Sequence, residues 1–129
     1  MRILLDTQCW LWMTASPERF SPRARGIVES GEHELYLSAA SAWEIVIKHA
    51  LGKLQLPEPP DRFVSRRLDT LGVRPLAIEH RHALHVSTLP AHHRDPFDRL
   101  LVAQSQLEDL PLLTADSQFD RYSVQTLPA

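Results

Sequence analysis

The stretch Arg2-Ile3-Leu4-Leu5-Asp6-Thr7 decides how this chain is read. Its apolar part is short and unbroken, as in a strand covered on both faces, and it ends on an acid just where helical sequence begins. Similar runs recur at 34–37, 73–78, 110–113 and 122–126. Helical patterns fall between them, at 7–13, 22–29, 39–51, 61–71, 79–89 and 96–107. Strands alternating with helices predict an α/β fold, a three-layer α/β/α sandwich with a mostly parallel central sheet. The last run, Tyr122-Ser123-Val124-Gln125-Thr126, alternates in polarity and suits an edge. The breaker-rich Leu56-Pro57-Glu58-Pro59-Pro60 is too short to divide domains but ends one helix and starts another.

A chain of 129 residues is expected to form a single domain over 1–129. Its 43% hydrophobic and 23% charged residues are ordinary for a globular protein. No apolar run approaches the roughly 20 residues that span a bilayer, and strand-like sequence starts at Arg2 with no signal peptide ahead of it. Cys9 is the only cysteine, which excludes an internal disulfide and a cysteine-based zinc site. A reducing cytoplasm is the expected compartment. The net charge of −2 argues against a sequence-independent phosphate clamp, yet a metal ion can supply positive charge locally.

In open α/β sheets, ligands bind beyond the carboxyl ends of the strands, so acids at those ends carry most weight. Asp6 directly follows the first strand, where it can equally be a helix N-cap. Glu44 lies in Ser41-Ala42-Trp43-Glu44, which matches a capping box, and pairs i,i+4 with Lys48. Ser38 is the better helix start, however, and then Ser41, Glu44 and Lys48 form a narrow polar stripe that can line a cleft. In Asp95-Pro96-Phe97-Asp98, Asp95 reads as an N-cap, Pro96 as the first helical residue and Asp98 as a first-turn acid. Asp116 follows Leu112-Leu113-Thr114 and is either a cap or another strand-end acid. If these four carboxylates met, their repulsion would call for a cation. Magnesium or manganese, which prefer oxygen ligands, would then support phosphodiester hydrolysis.

These residues resemble the PIN domain, specifically the VapC-type toxins of bacterial toxin–antitoxin pairs. The resemblance runs through Leu4-Leu5-Asp6-Thr7, Ser38 to Lys48, Leu51-Gly52-Lys53-Leu54, Leu89-Pro90-Ala91-His92-His93-Arg94-Asp95-Pro96-Phe97-Asp98-Arg99-Leu100-Leu101 and Leu113-Thr114-Ala115-Asp116. The block from His92 to Arg99 is the specific part. The resemblance implies an endoribonuclease dependent on Mg2+ or Mn2+, its acids at Asp6, Glu44, Asp98 and Asp116. It also implies a homodimer held inactive by a cognate antitoxin, with RNA as substrate. Thr114 matches a hydroxyl residue often beside the site, whereas Gln8 stands where many relatives carry His.

Other features have plainer readings. His80, His82 and His85 lack the context of a hydrolytic zinc helix and suit packing or surface roles. His92 and His93 precede the acidic helix and are candidates for RNA or antitoxin contact. Arg62, Arg66 and Arg67 make a basic face that is usually only solvated. Lys48 and Arg99 flank the acids and are better placed to touch phosphate or orient carboxylates. Trp10 and Trp12 cannot face the same way on a helix, so one of them is expected at a protein interface. Two rival functions stand beside the ribonuclease: a PIN-fold binding module without catalysis, and a receiver-like signalling domain.

Overall fold

The computed structural model describes residues 1–92 and 94–129, so His93 lies outside the described residues. Five strands, β1 (Arg2–Leu5), β2 (Glu34–Ser38), β3 (Arg74–Leu76), β4 (Leu112–Thr114) and β5 (Thr126–Pro128), form one sheet in the order β3-β2-β1-β4-β5. Every pairing is parallel. A receiver-like sheet runs 2-1-3-4-5, so this order sets that rival aside.

The pleat assigns the core. Ile3 and Leu5 of β1 join Leu35, Leu37 and Leu113 on one face, under α1 (Thr7–Ala15), α2 (Pro22–Glu29) and α4 (Pro60–Leu71), which contribute Trp10, Ala24 and Phe63. Leu4 and Leu112 point the other way, into a cluster with Ala40 of α3 (Ala39–Ala50) and Leu101, Val102 and Ala103 of α6 (Pro96–Glu108). Side chains alternate at period two along β1, so a central strand must be apolar throughout to serve both layers. That is the three-layer α/β/α sandwich with a parallel sheet which the sequence predicts.

Several boundaries move. The expected 79–89 helix is α5 (His80–His85) followed by a 3-10 turn over Val86–Thr88. The last strand begins at Thr126 rather than 122, because Tyr122 is buried in the second cluster and follows a 3-10 turn over Ser117–Arg121. It does lie at a sheet edge, and Pro128, which has no N–H to donate, is tolerated there. Gly72 closes α4 at φ +66, a left-handed conformation costly for other residues. No helix among the described residues is long and apolar enough to cross a membrane.

Strand order reverses at β1, whose chain leaves toward β2 while β4 pairs on its other side. Asp6 emerges from β1 and Asp116 just beyond β4, on either side of this switch point. The fold therefore sets two of the expected acids at the crevice before any side chain is considered.

Candidate metal centre

Asp6 is buried and caps α1, its Oδ1 accepting from the backbone N–H of Cys9 at 2.7 Å. Its other oxygen accepts from Thr114 Oγ1 at 2.5 Å, so the cap and the strand-end acid are one residue with two faces. Thr114 Oγ1 also accepts from the backbone N–H of Asp116 at 3.0 Å, which ties the β4 end to the β1 end. Burial holds the Asp6 carboxyl above the usual range, opposed by the bonds from Thr114 and Cys9.

Ser38 is the N-cap of α3, its Oγ accepting from the Ala40 N–H at 3.0 Å, so Glu44 falls in the second turn and cannot cap. Glu44 is only 4% exposed. Its Oε2 receives Lys48 Nζ at 2.6 Å, while its Oε1 lies 2.6 Å from Thr7 Oγ1. Thr7 Oγ1 is also 2.8 Å from Ser41 Oγ. With one hydroxyl proton, Thr7 gives it to the charged acceptor and leaves Ser41 to donate in turn. The surface-pair reading of Glu44 and Lys48 thus fails on one side, since the lysine is half-exposed and the acid is not.

Asp95 caps α6 by accepting from the N–H groups of Phe97 and Asp98 at 2.8 and 3.3 Å, with Pro96 at the first helical position. That turn aims Asp98 into the crevice. Burial, followed by repulsion from Asp95, Glu44, Asp6 and Asp116, pushes the Asp98 carboxyl up to about 8. The smaller, repulsive part of that shift records convergence: a single carboxyl feels all three of the other expected acids. Asp116 caps the short 3-10 turn, accepting from the Gln118 N–H at 2.9 Å.

Asp6, Glu44, Asp98 and Asp116, with Asp95 and Lys48, line one cavity of about 350 Å³. Among the described residues no three of the four acids bring oxygens within 4.8 Å of one another, a spacing met only by Glu79, His82 and Glu108 elsewhere. The four acids therefore suit a hard divalent cation that keeps part of its water shell, as magnesium does. Oxygen donors alone, repelling one another in a half-buried cleft, fit such an ion and offer nothing to a softer one.

Arg99, the other cation expected beside the acids, bonds to backbone. Its guanidinium donates to the carbonyls of Pro90 and Val86 at 3.0 and 3.1 Å and so ties α6 to the 3-10 turn at Val86 and to Pro90. Of the histidines at 80, 82 and 85, expected in packing or surface roles, His82 packs and His80 is exposed. His82 is buried, accepts the Glu79 N–H on Nδ1 at 2.9 Å, and places Nε2 2.9 Å from Glu108. Arg81 lies on both glutamates, so the Glu79, His82 and Glu108 group already holds its cation and locks α5 to α6. His92 is exposed and meets Tyr122 edge-on at 5.5 Å. Of the tryptophans, Trp10 is core, Trp12 is half-buried, and the exposed one is Trp43 at 58%.

Sequence reasoning missed Thr7 as a partner of Glu44. The one available signal was a hydroxyl residue directly after the strand-end acid, which a helix start explains equally well.

Comparison with known proteins agrees with the fold. The family model of the PIN domain matches residues 3–125. Ribonuclease VapC16 of Mycobacterium tuberculosis is 46% identical over 61 residues, or 47% of this chain and 43% of that protein, so the match spans less than half of the relative. Among solved structures, VapBC2 from Rickettsia felis bound to a DNA fragment from their promoter superposes with a TM-score of 0.74 at 12% identity, covering 100% of this chain and 99% of that chain. DNA-bound VapBC from Salmonella typhimurium gives 0.69 at 16% identity, covering 99% and 98%. At these identities the structures speak for the fold. With the family model spanning nearly its whole length, the chain belongs to the PIN-domain family.

Proposed function

We propose that this protein is a toxin-type endoribonuclease that hydrolyses RNA phosphodiester bonds with Mg2+ or Mn2+. The observation that carries the reading is the Asp98 carboxyl, which feels Glu44, Asp6 and Asp116 across one cavity at the topological switch point. Asp6, Glu44, Asp98 and Asp116 would hold the ion, directly or through water. When bound, it would supply an acidified water and shield the charge that develops on phosphate.

The chain's own residues do the rest. Thr114 fixes one oxygen of Asp6, and Cys9 N–H fixes the other. Thr7 and Lys48 hold the two oxygens of Glu44 in one rotamer. Lys48, half-exposed at the cavity wall, is placed to give its ion pair with Glu44 over to an incoming phosphate. Asp95 sets the first turn of α6 and with it the direction of Asp98. One of the four carboxylates positions water for in-line displacement at phosphorus.

The fold neighbours include a toxin–antitoxin complex from Klebsiella pneumoniae, and the relative from Mycobacterium tuberculosis is a ribonuclease. Both support a cognate antitoxin partner for this chain and RNA as its substrate. We further infer a homodimer in the cytoplasm, each chain one PIN domain over 1–129. Exposed Trp43 and Val46 of α3 give that dimer an apolar contact face, and buried, unpaired Cys9 suits a reducing compartment.

The test is cleavage of RNA by purified protein with added Mg2+ or Mn2+, beside the Asp98→Asn variant and excess chelator. Activity surviving in either control would defeat the reading. Metal binding without turnover on any RNA would favour a non-catalytic binding module on the same fold.

A further inference from the structure

A second cleft opens beside the carboxylate cavity, between α1 and the 3-10 turn after it on one side and the segment joining α3 to α4 on the other. We propose that it is a subsite for an unpaired nucleotide of the RNA strand whose phosphodiester lies among the acids; this rests on the ribonuclease reading above.

The cleft has a volume of about 290 Å³, at the small end of ligand pockets, which run from roughly 300 to 1,000 Å³. Gln8, Leu11 and Leu54 line both it and the carboxylate cavity, so the two are adjacent. Their charges are opposite. The first cavity has four acids, Asp95 and a single lysine, Lys48, on its wall, whereas the second has two arginines and no acid. A polyanion that lies over the acids and Lys48 and extends past Leu54 therefore meets further positive charge in this cleft.

The cationic groups are built rather than incidental. The guanidinium of Arg19 lies 5.2 Å from the centroid of Trp12, and that of Arg67 lies 5.5 Å from the centroid of Phe63. Trp12 is braced edge-on by Phe20 at 5.4 Å, and Phe63 by Trp10 at 5.9 Å. Each guanidinium thus sits over an aromatic ring, Phe63 within the core cluster and Trp12 packed against it. Neither has a carboxylate within 4.0 Å among the described residues, unlike neighbouring Arg66, which pairs with Glu58 at 3.1 Å. Planar cations above aromatic rings are platforms for unpaired bases, and stacking tolerates any base. Exposed Gln8 and Gln55 add amides at the rim that can read a base edge. Leu11, Leu54, Leu56 and Pro57 also line the cleft, and the two guanidiniums among them favour an anionic strand over a wholly apolar helix.

The test uses full-length protein in which Arg19→Ala and Arg67→Ala are combined, leaving both rings in place. Binding of a fluorescein-labelled, unstructured eight-nucleotide RNA is followed by anisotropy in an Asp98→Asn background, where cutting is suppressed. Loss of the two arginines should weaken binding at least tenfold and flatten its salt dependence. In the Asp98-containing protein, cleavage of the same RNA should fall at least tenfold more than hydrolysis of bis(p-nitrophenyl) phosphate, a diester too small to reach from the acids into the cleft. Unaltered RNA affinity would overturn the subsite while leaving the ribonuclease reading intact. RNA binding through the arginines, without hydrolysis of either substrate, would sink the ribonuclease reading and keep the subsite. Should the double variant fold poorly, a 4-thiouridine RNA irradiated on the wild-type protein decides the matter. Crosslinks in the peptides carrying Trp12 or Gln55 support the cleft, and crosslinks confined to other faces refute it.

Discussion

Thr7 Oγ1 stands 2.6 Å from Glu44 Oε1, joining the first residue of α1 to the second turn of α3 across 37 positions of sequence. Glu44 is buried, and its other oxygen is taken by Lys48, so each oxygen has a donor and the carboxylate keeps one orientation. Thr7→Val preserves shape and removes one of those donors. A buried charged acceptor left short of a partner costs about 1–3 kcal/mol, and loss of such a supporting bond typically lowers metal affinity about 10- to 100-fold. Thermal melts and calorimetric Mn2+ titration of the variant should show both losses. Mn2+ affinity equal to wild type would mean that Thr7 only fills space.

Much of this was legible in the residues, and the reasons are local. Ile3, Leu4 and Leu5 had to be a doubly covered strand, and Asp95-Pro96 had to start a helix, because each signal sits within a few positions. The pairing of Thr7 with Glu44, the turn of Arg99 toward Val86 and Pro90, and the cleft between Arg19 and Arg67 depend on how helices far apart in sequence pack. No periodicity encodes them. Tyr122 misled for a related reason: its alternating neighbours looked like a strand, but the ring was needed in the core before the strand began. The convergence of the four acids likewise came from the family resemblance rather than from spacing.

Asp6 serves both as cap and as candidate ligand, and Asn separates the two roles. An asparagine carbonyl can still accept from the Cys9 N–H, and Asn caps helices about as well as Asp. The amide also avoids the burial cost that raises the Asp6 carboxyl. Asp6→Asn should therefore keep its melting temperature within a few degrees while RNA cleavage falls at least about 100-fold. Asp6→Ala should lose the cap as well, about 1 kcal/mol of stability. Circular dichroism melts beside cleavage rates check both, and an active Asn variant would remove Asp6 from the site.

Arg99 offers the clearest contrast between sequence and structure. If it met phosphate, its removal would lower the salt slope of RNA binding by about 0.7. Its two bonds to backbone carbonyls argue instead that Arg99→Ala loosens the segment before α6, at about 1–2 kcal/mol for partly exposed charged bonds. The expected result is a lower denaturation midpoint with an unaltered salt slope. A changed slope at unchanged stability would return Arg99 to the RNA.

The Asp98 carboxyl gives the protein a pH dependence of definite sign. Its value of about 8 in the folded chain, against 3.8 ordinarily, arises first from burial and then from Asp95, Glu44, Asp6 and Asp116. Between those two values the folded state holds a proton that the unfolded chain has released, so raising pH through this window removes stability. Without divalent metal, the melting temperature should fall from pH 5 to pH 8.5. Asp98→Asn should flatten that fall and stabilise the protein at pH 8.5 by on the order of 2 kcal/mol, allowing for solvent screening in an open cleft. A cation competes with the proton for this carboxylate, so stabilisation by Mn2+ should grow as pH rises and the proton leaves. Melts at pH 6.5 and 8.5, with and without Mn2+, measure both trends. A metal-induced shift of equal size at the two values would show that the ion does not contend for Asp98.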